Sequence, residues 1–207
     1  MQGELEGYFE VLGGLGRRVL ASDAQGREIA PGAAISWAVT ASDLTKQDSK
    51  KIYFIGNGGS AAIASHMAID WMKNGGFATL AFNDGAALTC LANDLGYGQV
   101  FAAPLSRHAG NGDLLIAISS SGSSESILAG VNAARSKGAK VITLSGFKSD
   151  NPLRRLGDMN FYVPNDLYGF VEISHLTICH AILDLAMGWR ADGSRPAYVT
   201  YNAEPAA

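Results

Sequence analysis

Five serines lie in one six-residue segment, Ser119-Ser120-Ser121-Gly122-Ser123-Ser124, between an apolar run and a helical pattern. The apolar run (114–118) predicts a buried strand, and residues 127–137 predict a helix. Serine hydroxyls and the free N–H groups of a helix start can surround a phosphate, and the helix dipole favours an anion there. The segment therefore predicts a phosphate cradle, although a Ser/Gly turn that only caps the helix fits the same residues.

A second group of residues has the types and spacings of metal ligands. His66 and Asp70 are four residues apart, so a helix places them on one face. Glu172 and His180 are eight residues apart, about two helical turns, and can approach the same point from another helix. Imidazole and carboxylate groups bind a divalent ion such as zinc. A surface His–Asp pair with a core histidine that serves packing only is the open alternative.

Alternating strand and helix patterns must position these side chains. Two N-terminal helical patterns (5–19 and 33–44) are followed by short apolar strands that alternate with helices up to residue 187. This order predicts an α/β fold, a three-layer α-β-α sandwich with a parallel sheet covered on both faces. The predicted organisation is N-terminal helices for packing or oligomerisation (1–48), one α/β domain (49–190) and a loosely packed tail (191–207).

Composition narrows the class of protein. The chain has 207 residues, of which 47% are hydrophobic and 17% charged, with a net charge of −3, as in a well-cored soluble protein. No basic stripe is visible, so no nucleic-acid partner is expected. The only cysteines, Cys90 and Cys179, have neither metal-site nor disulfide spacing, which favours the cytoplasm. We see no signal-peptide pattern and no apolar run of roughly 18 residues, so no membrane partner is expected.

A glycine-rich segment, Gly56-Asn57-Gly58-Gly59-Ser60-Ala61, follows one predicted strand and opens a helix. It satisfies the G-x-G-x-x-A pattern, and Asp84 ends the next strand, as in dinucleotide-binding proteins. A single match of this kind is weak and leaves the serine segment unexplained. A dinucleotide-dependent oxidoreductase therefore stays an alternative.

The glycine-rich segment, the pattern Ser119-x-Ser121-Gly122-x-Ser124 and the histidine-bearing last helix together resemble the SIS-domain sugar isomerases. The likeness is strongest to the phosphoheptose isomerases, which act on sedoheptulose 7-phosphate, and it covers about residues 30–190. Asn93-Asp94-x-Gly96-Tyr97 matches a further element of the pattern. The resemblance implies that the substrate-binding residues are Asn57, Gly58, Gly59, Ser60, Asn93, Asp94, Ser119, Ser120, Ser121, Ser124 and Glu172.

The resemblance also implies the chemistry. It implies an aldose–ketose isomerase that converts sedoheptulose 7-phosphate to D-glycero-D-manno-heptose 7-phosphate through an enediol, with Asp70 and His180 as the acid–base pair. The zinc ligands of the family fall on His66, Asp70, Glu172 and His180. One Zn²⁺, or another divalent ion, is therefore expected in each subunit of a homotetramer.

Two positions depart from the family pattern. Asp70 stands where the family has Glu, and Glu172 stands where it has Gln. A shorter carboxylate and an added negative charge leave isomerisation of another ketose phosphate as an alternative. A non-catalytic SIS protein that binds a protein partner is a further alternative.

Overall fold

The computed structural model describes residues 1–194, so most of the predicted tail (191–207) lies outside the described residues. Two long helices flank a short hairpin at the N-terminus: α1 (Gln2–Arg18), β1 (Leu20–Asp23), β2 (Glu28–Ile29) and α2 (Pro31–Gln47). The remaining strands and α-helices are β3 (Lys51–Gly56), α3 (Gly59–Lys73), β4 (Ala78–Ala81), α4 (Gly85–Leu95), α5 (Ala102–His108), β5 (Leu114–Ser119), α6 (Glu125–Ser136), β6 (Lys140–Ser145), β7 (Met159–Tyr162) and α7 (Tyr168–Ala186).

The strands form one seven-stranded sheet in the order β2-β1-β7-β6-β5-β3-β4. The five strands from β7 to β4 are parallel, and the hairpin adds antiparallel to β7. The buried side chain of Asn160 in β7 donates to the carbonyls of Ser22 and Asp23, which attaches the hairpin. The predicted three-layer sandwich is confirmed, but the sheet is mixed. The segment 1–48 contributes strands as well as helices, and the domain division at residue 48 stays a prediction.

Two hydrophobic clusters cover the two faces of the sheet. Alternate residues of one strand point to opposite faces, so that Phe54 of β3 packs under α3 and α7 while Ile55 packs under α5 and α6. Every residue of β5 is buried, as its continuous apolar run predicts for a central parallel strand. This packing fixes α3 and α7 side by side on one face of the sheet.

By length and composition alone, helix α7 is long and apolar enough to cross a membrane. The sequence pattern did not predict an apolar run of this length. In this structure it packs against α2 and α3, with Val171, His175 and Cys179 completely buried. Such burial is typical of the core helix of a soluble protein.

The direction of winding reverses at β3. Strand β4 lies on one side of β3, whereas β5 lies on the other. Ligands of open parallel sheets bind in the crevice beyond the carboxyl ends of the strands at such a reversal. The glycine-rich segment follows β3 and the serine segment follows β5, so both predicted loops border this crevice.

Candidate active site

The two loops form one cavity of about 260 Å³ at the crevice. It contains nine of the eleven substrate-binding residues that the sequence predicts, together with Ile118 and Tyr168. The nine are Asn57, Gly58, Gly59, Ser60, Ser119, Ser120, Ser121, Ser124 and Glu172. Their assignment as substrate ligands stays a prediction, but the fold brings them together.

Two helices begin at this cavity. Gly58 precedes α3 with a φ of +55°, a conformation that favours glycine, and its carbonyl accepts the first bonds of the helix from Ala61 and Ala62. The N–H groups of Gly59 and Ser60 at this helix start therefore have no acceptor within α3. Helix α6 begins just after Ser124 on the opposite wall. Two helix N-termini thus border one cavity, and their free N–H groups and positive dipole ends favour the binding of an anion there.

The serine hydroxyls do not cap α6. Ser124 precedes the helix, yet its hydroxyl makes no capping bond and lies 3.5 Å from the hydroxyl of Ser119. The Ser120 hydroxyl is buried without a hydrogen-bond partner among the described residues. Buried polar groups are nearly always paired, so such a hydroxyl in the wall of a cavity favours a bound polar ligand. The structure therefore favours the cradle over the simple capping turn.

Asn57 links the glycine-rich loop to neighbouring elements. The sequence predicted it as a substrate-binding residue but did not predict its hydrogen-bond partners. Its Nδ2 donates to the hydroxyl of Ser126 at 2.9 Å, on the first turn of α6. Its Oδ1 accepts from the hydroxyl of Tyr97 at 2.8 Å. Tyr97 stood in the Asn93–Tyr97 pattern without an assigned role, and only the fold places its hydroxyl against the glycine-rich loop.

Asn93 and Asp94 lie outside the cavity. Both are exposed on the last turn of α4, where the Nδ2 of Asn93 donates to Asp94 at 2.9 Å. The other carboxylate oxygen of Asp94 lies 3.6 Å from the thiol of Cys90. Helix α4 has no fully buried residue, so packing does not press these side chains toward the crevice. Their role at the sugar hydroxyls stays a prediction.

Three of the four predicted metal ligands form a second cluster. His66 and Asp70 share a face of α3, and His180 reaches them from α7. The Nε2 atoms of the two histidines are 3.4 Å apart, and the Oδ2 of Asp70 lies 3.6 Å from His66 Nε2 and 3.8 Å from His180 Nδ1. Two imidazole nitrogens and one carboxylate oxygen within 4.8 Å of one another fit the ligand set of zinc.

Glu172 is not part of this cluster. Its carboxylate lies against Gly59 in the wall of the cavity, so closely that a Cβ on Gly59 would overlap it. It makes no hydrogen bond or ion pair with the described residues. Helical spacing alone could not decide whether Glu172 joins the metal cluster or the cavity wall, because it does not show which part of α3 the Glu172 side chain faces.

The neighbours of His180 on α7 do not add a nucleophile. Burial raises the pKa of the Cys179 thiol to about 12, so the thiolate is not available at neutral pH. His175 is also fully buried, and burial lowers its pKa to about 4 although its bond to the Ser145 carbonyl opposes this shift. Cys179 is therefore a buried packing residue of α7.

The SIS domain family model matches residues 30–146 of this chain. The phosphoheptose isomerase of Solidesulfovibrio magneticus is 37% identical over 141 residues, which is 65% of this chain and 68% of that relative. The phosphoheptose isomerase of one Helicobacter pylori strain is 34% identical over 146 residues, 68% of this chain and 76% of that relative.

Solved structures of phosphoheptose isomerases are similar to this chain over a longer part of its length. Phosphoheptose isomerase from Neisseria gonorrhoeae superimposes with a TM-score of 0.78 at 26% identity, covering 89% of this chain and 98% of that one. The enzyme from Francisella tularensis gives a TM-score of 0.77, also at 26% identity, over 89% and 97% of the two chains. The chain is therefore similar to phosphoheptose isomerases and belongs to the SIS-domain sugar isomerase family.

Proposed function

We propose that this protein is an aldose–ketose isomerase that converts sedoheptulose 7-phosphate to D-glycero-D-manno-heptose 7-phosphate. The likeness to phosphoheptose isomerases supports an isomerase of this type. The observation that carries the proposal is geometric. A cavity suited to phosphate lies at the starts of α3 and α7, and a His–Asp–His cluster suited to proton transfer lies further along the same two helices.

The spacing of the two sites suits a sugar phosphate. Ser60 and His66 are six positions apart on α3, and Glu172 and His180 are eight positions apart on α7. At the helical rise per residue these separations are about 9 and 12 Å. An extended seven-carbon sugar phosphate covers a distance of this order, so a phosphate in the cavity leaves the reacting carbons beside the cluster.

The reaction needs one acid and one base on either side of two carbon atoms. A proton leaves C1 of the ketose, an enediol forms, a proton returns to C2, and the hydroxyl proton moves from O1 to O2. We assign these transfers to Asp70 and His180, since carboxylate and imidazole groups are common general acids and bases in enzymes. The Oδ2 of Asp70 lies 3.6 Å from the ring of His66 and 3.8 Å from that of His180, so one carboxylate is close to both rings.

We further propose that His66, Asp70 and His180 bind one Zn²⁺ per subunit. Glu172 was predicted as the fourth ligand, but its carboxylate lies against Gly59 and outside this cluster. When bound, the ion polarises a carbonyl oxygen and stabilises negative charge on the enediolate. Another divalent ion would supply the same chemistry. The donor set favours zinc because it contains two imidazoles and few oxygens.

Solvent isotope incorporation tests the reaction directly. The protein is incubated with sedoheptulose 7-phosphate in deuterium oxide, and NMR follows deuterium at C2 of the aldose. We expect incorporation in the wild type and none in Asp70→Ala or His180→Ala. The absence of exchange with ketose phosphates of five, six and seven carbons would reject the proposed activity.

A different ketose phosphate is the second candidate substrate. The Glu172 carboxylate adds negative charge to the cavity wall, and Asp70 is one methylene shorter than the family's Glu. Both features can change which sugar is placed correctly. The substrate with the highest kcat/KM in the series above identifies the natural class. The convergence of His66, Asp70 and His180 argues against the non-catalytic alternative.

We also propose a cytoplasmic homotetramer with no nucleic-acid or membrane partner. Helix α1 exposes three large apolar side chains: Leu5 is 53%, Tyr8 41% and Phe9 61% exposed. An apolar patch of this kind is typical of a surface that another subunit covers. Light scattering after size exclusion tests the assembly. A monomer would reject this part of the proposal without affecting the assigned chemistry.

A further inference from the structure

We propose that Asn151 is a positioning residue for the phosphate cavity, because it fixes the serine segment from behind at Gly122. The inference rests on the proposed function only in taking this cavity as the phosphate site. Asn151 lies in the loop after β6 and is not among the residues that line the cavity, so it acts through the serine segment and not on the ligand.

The amide of Asn151 organises its own loop. The side chain is buried, and its Nδ2 lies 3.2 Å from the Ser145 hydroxyl, 3.2 Å from the Gly146 carbonyl and 2.8 Å from the Lys148 carbonyl. Its Oδ1 accepts from the N–H of Arg154 at 3.2 Å, which caps a short 3-10 helix. One side chain thus determines the course of residues 145–154.

This loop is in direct contact with the serine segment. The Gly146 N–H donates to the Ser120 carbonyl at 2.9 Å, and the Leu153 N–H donates to the Gly122 carbonyl at 3.0 Å. Gly122 has a φ of +63°, and a Cβ there would overlap the Oδ1 and Cγ of Asn151. The amide of Asn151 therefore packs on the bend at Gly122, between the serines that line the cavity.

Removal of this amide should weaken phosphate binding and leave proton transfer intact. The cradle depends on several donors converging on one anion, and such convergence is lost when its supporting residues move. The acid–base pair, in contrast, lies on α3 and α7 and has no bond to the loop 146–153. The expected signature is a change in KM without a change in kcat.

The first experiment measures Asn151→Ala with two probes. Calorimetry gives the dissociation constant of inorganic phosphate, and steady-state kinetics with sedoheptulose 7-phosphate give KM and kcat. We expect phosphate affinity to fall about tenfold, as for loss of one set of supporting hydrogen bonds, with KM rising in parallel and kcat within about twofold. Unchanged phosphate affinity, or a fall in kcat at constant KM, would overturn the proposal.

Asn160→Ala is the matched control. Asn160 is equally buried, its Nδ2 contacts the carbonyls of Ser22, Asp23 and Gly157, and its Oδ1 accepts from Thr143. It should lower thermal stability about as much as Asn151→Ala and leave phosphate affinity unchanged. If both variants weaken phosphate binding equally, the effect is a general loss of stability and the positioning role is rejected.

Asn151→Ser covers the case in which the alanine variant does not fold. Serine can still cap the 3-10 helix but lacks the amide donor to the Ser145, Gly146 and Lys148 oxygens. We expect a folded protein with weakened phosphate binding, and wild-type phosphate affinity would overturn the proposal.

The phosphate measurement also separates this inference from the proposed function. A wild type that binds inorganic phosphate, turns over no ketose phosphate and loses phosphate affinity in Asn151→Ser would reject the isomerase activity and support the positioning role. A wild type that binds no inorganic phosphate would overturn the positioning role whatever its activity.

Discussion

The phosphate cavity and the His66–Asp70–His180 cluster both border α3 and α7 but are built in opposite ways. The cavity presents mainly backbone N–H groups and short hydroxyls at two helix starts, in loops that the buried strands β3 and β5 hold in place. The cluster consists of three long side chains on exposed helix faces, with His66 52% and His180 36% exposed. Binding and chemistry therefore depend on different parts of the structure.

This difference has a practical consequence. A site made from backbone is sensitive to whatever bends the loop, and any single hydroxyl contributes modestly. A site made from three side chains fails when one of them is removed, because no neighbour replaces its proton or its ligand atom. The following changes should separate the two sites, and each would contradict the distinction if it affected both alike.

The largest effect is expected from His180→Ala. Loss of one acid–base group should lower kcat about a thousandfold, while the dissociation constant of inorganic phosphate stays within about twofold of the wild type. Steady-state kinetics and calorimetry measure the two quantities. Thr177→Ala, on the exposed face of the same helix, should change neither. A parallel loss of phosphate binding in His180→Ala would show that the two sites are not separable.

The second change tests the cluster as a metal site. His66→Ala should remove most of the zinc that copurifies with the protein, since two ligands are too few to hold the ion firmly. Elemental analysis of the purified variant gives the metal content per chain. His108→Ala removes another exposed histidine, at the end of α5, and should leave the metal content at one per chain. Equal metal content in both variants would contradict the assignment.

The third change acts on the cavity alone. Gly59→Ala places a Cβ on the Glu172 carboxylate, so this side chain must move from its place in the cavity wall beside the first turn of α3. We expect KM for the sugar phosphate to rise about tenfold with kcat nearly unchanged. Gly85→Ala is the control, because Gly85 also begins a helix but has open space at its Cβ position. An equal effect of the two substitutions would point to helix propensity and not to the cavity.

The smallest effect concerns His175 on α7, one of the two helices that border both sites. The buried His175 has a pKa near 4, whereas its ordinary value is 6.5. Between these two pH values the unfolded chain binds a proton that the folded chain excludes. The contribution of His175 to the free energy of unfolding is therefore complete above about pH 6.5 and falls as the pH drops toward 4, by a few kcal/mol at most. Urea unfolding at several pH values measures this slope.

His175→Gln is the matched variant for that measurement. Glutamine keeps a donor for the Ser145 carbonyl but does not titrate. Its stability should vary less with pH from 6.5 to 4 than that of the wild type. Identical slopes in the two proteins would exclude His175 as the source of the acid sensitivity.

Local patterns predicted most of the cavity. The serine segment, the glycine-rich segment and the His66–Asp70 pair each lie within a few residues, and the strand or helix beside each fixes its geometry. The mixed sheet was not predicted, because β1 of the hairpin pairs with β7, which is far away in the sequence, and the side chain of Asn160 adds bonds to this pairing. The partners of Asn57 and the contact of Asn151 with Gly122 were missed for the same reason.

The sequence by itself indicated the layered fold through its alternating patterns, and its resemblance to SIS-domain isomerases indicated the family and nine of the eleven residues that line the cavity. Only the tertiary structure decided which distant groups meet. It placed His180 beside Asp70 and set Glu172 against Gly59, and it left Asn93 and Asp94 outside the cavity. The physical reason is that the rotation and contact of α3 and α7 depend on side chains packed across the whole sheet, which no local spacing contains.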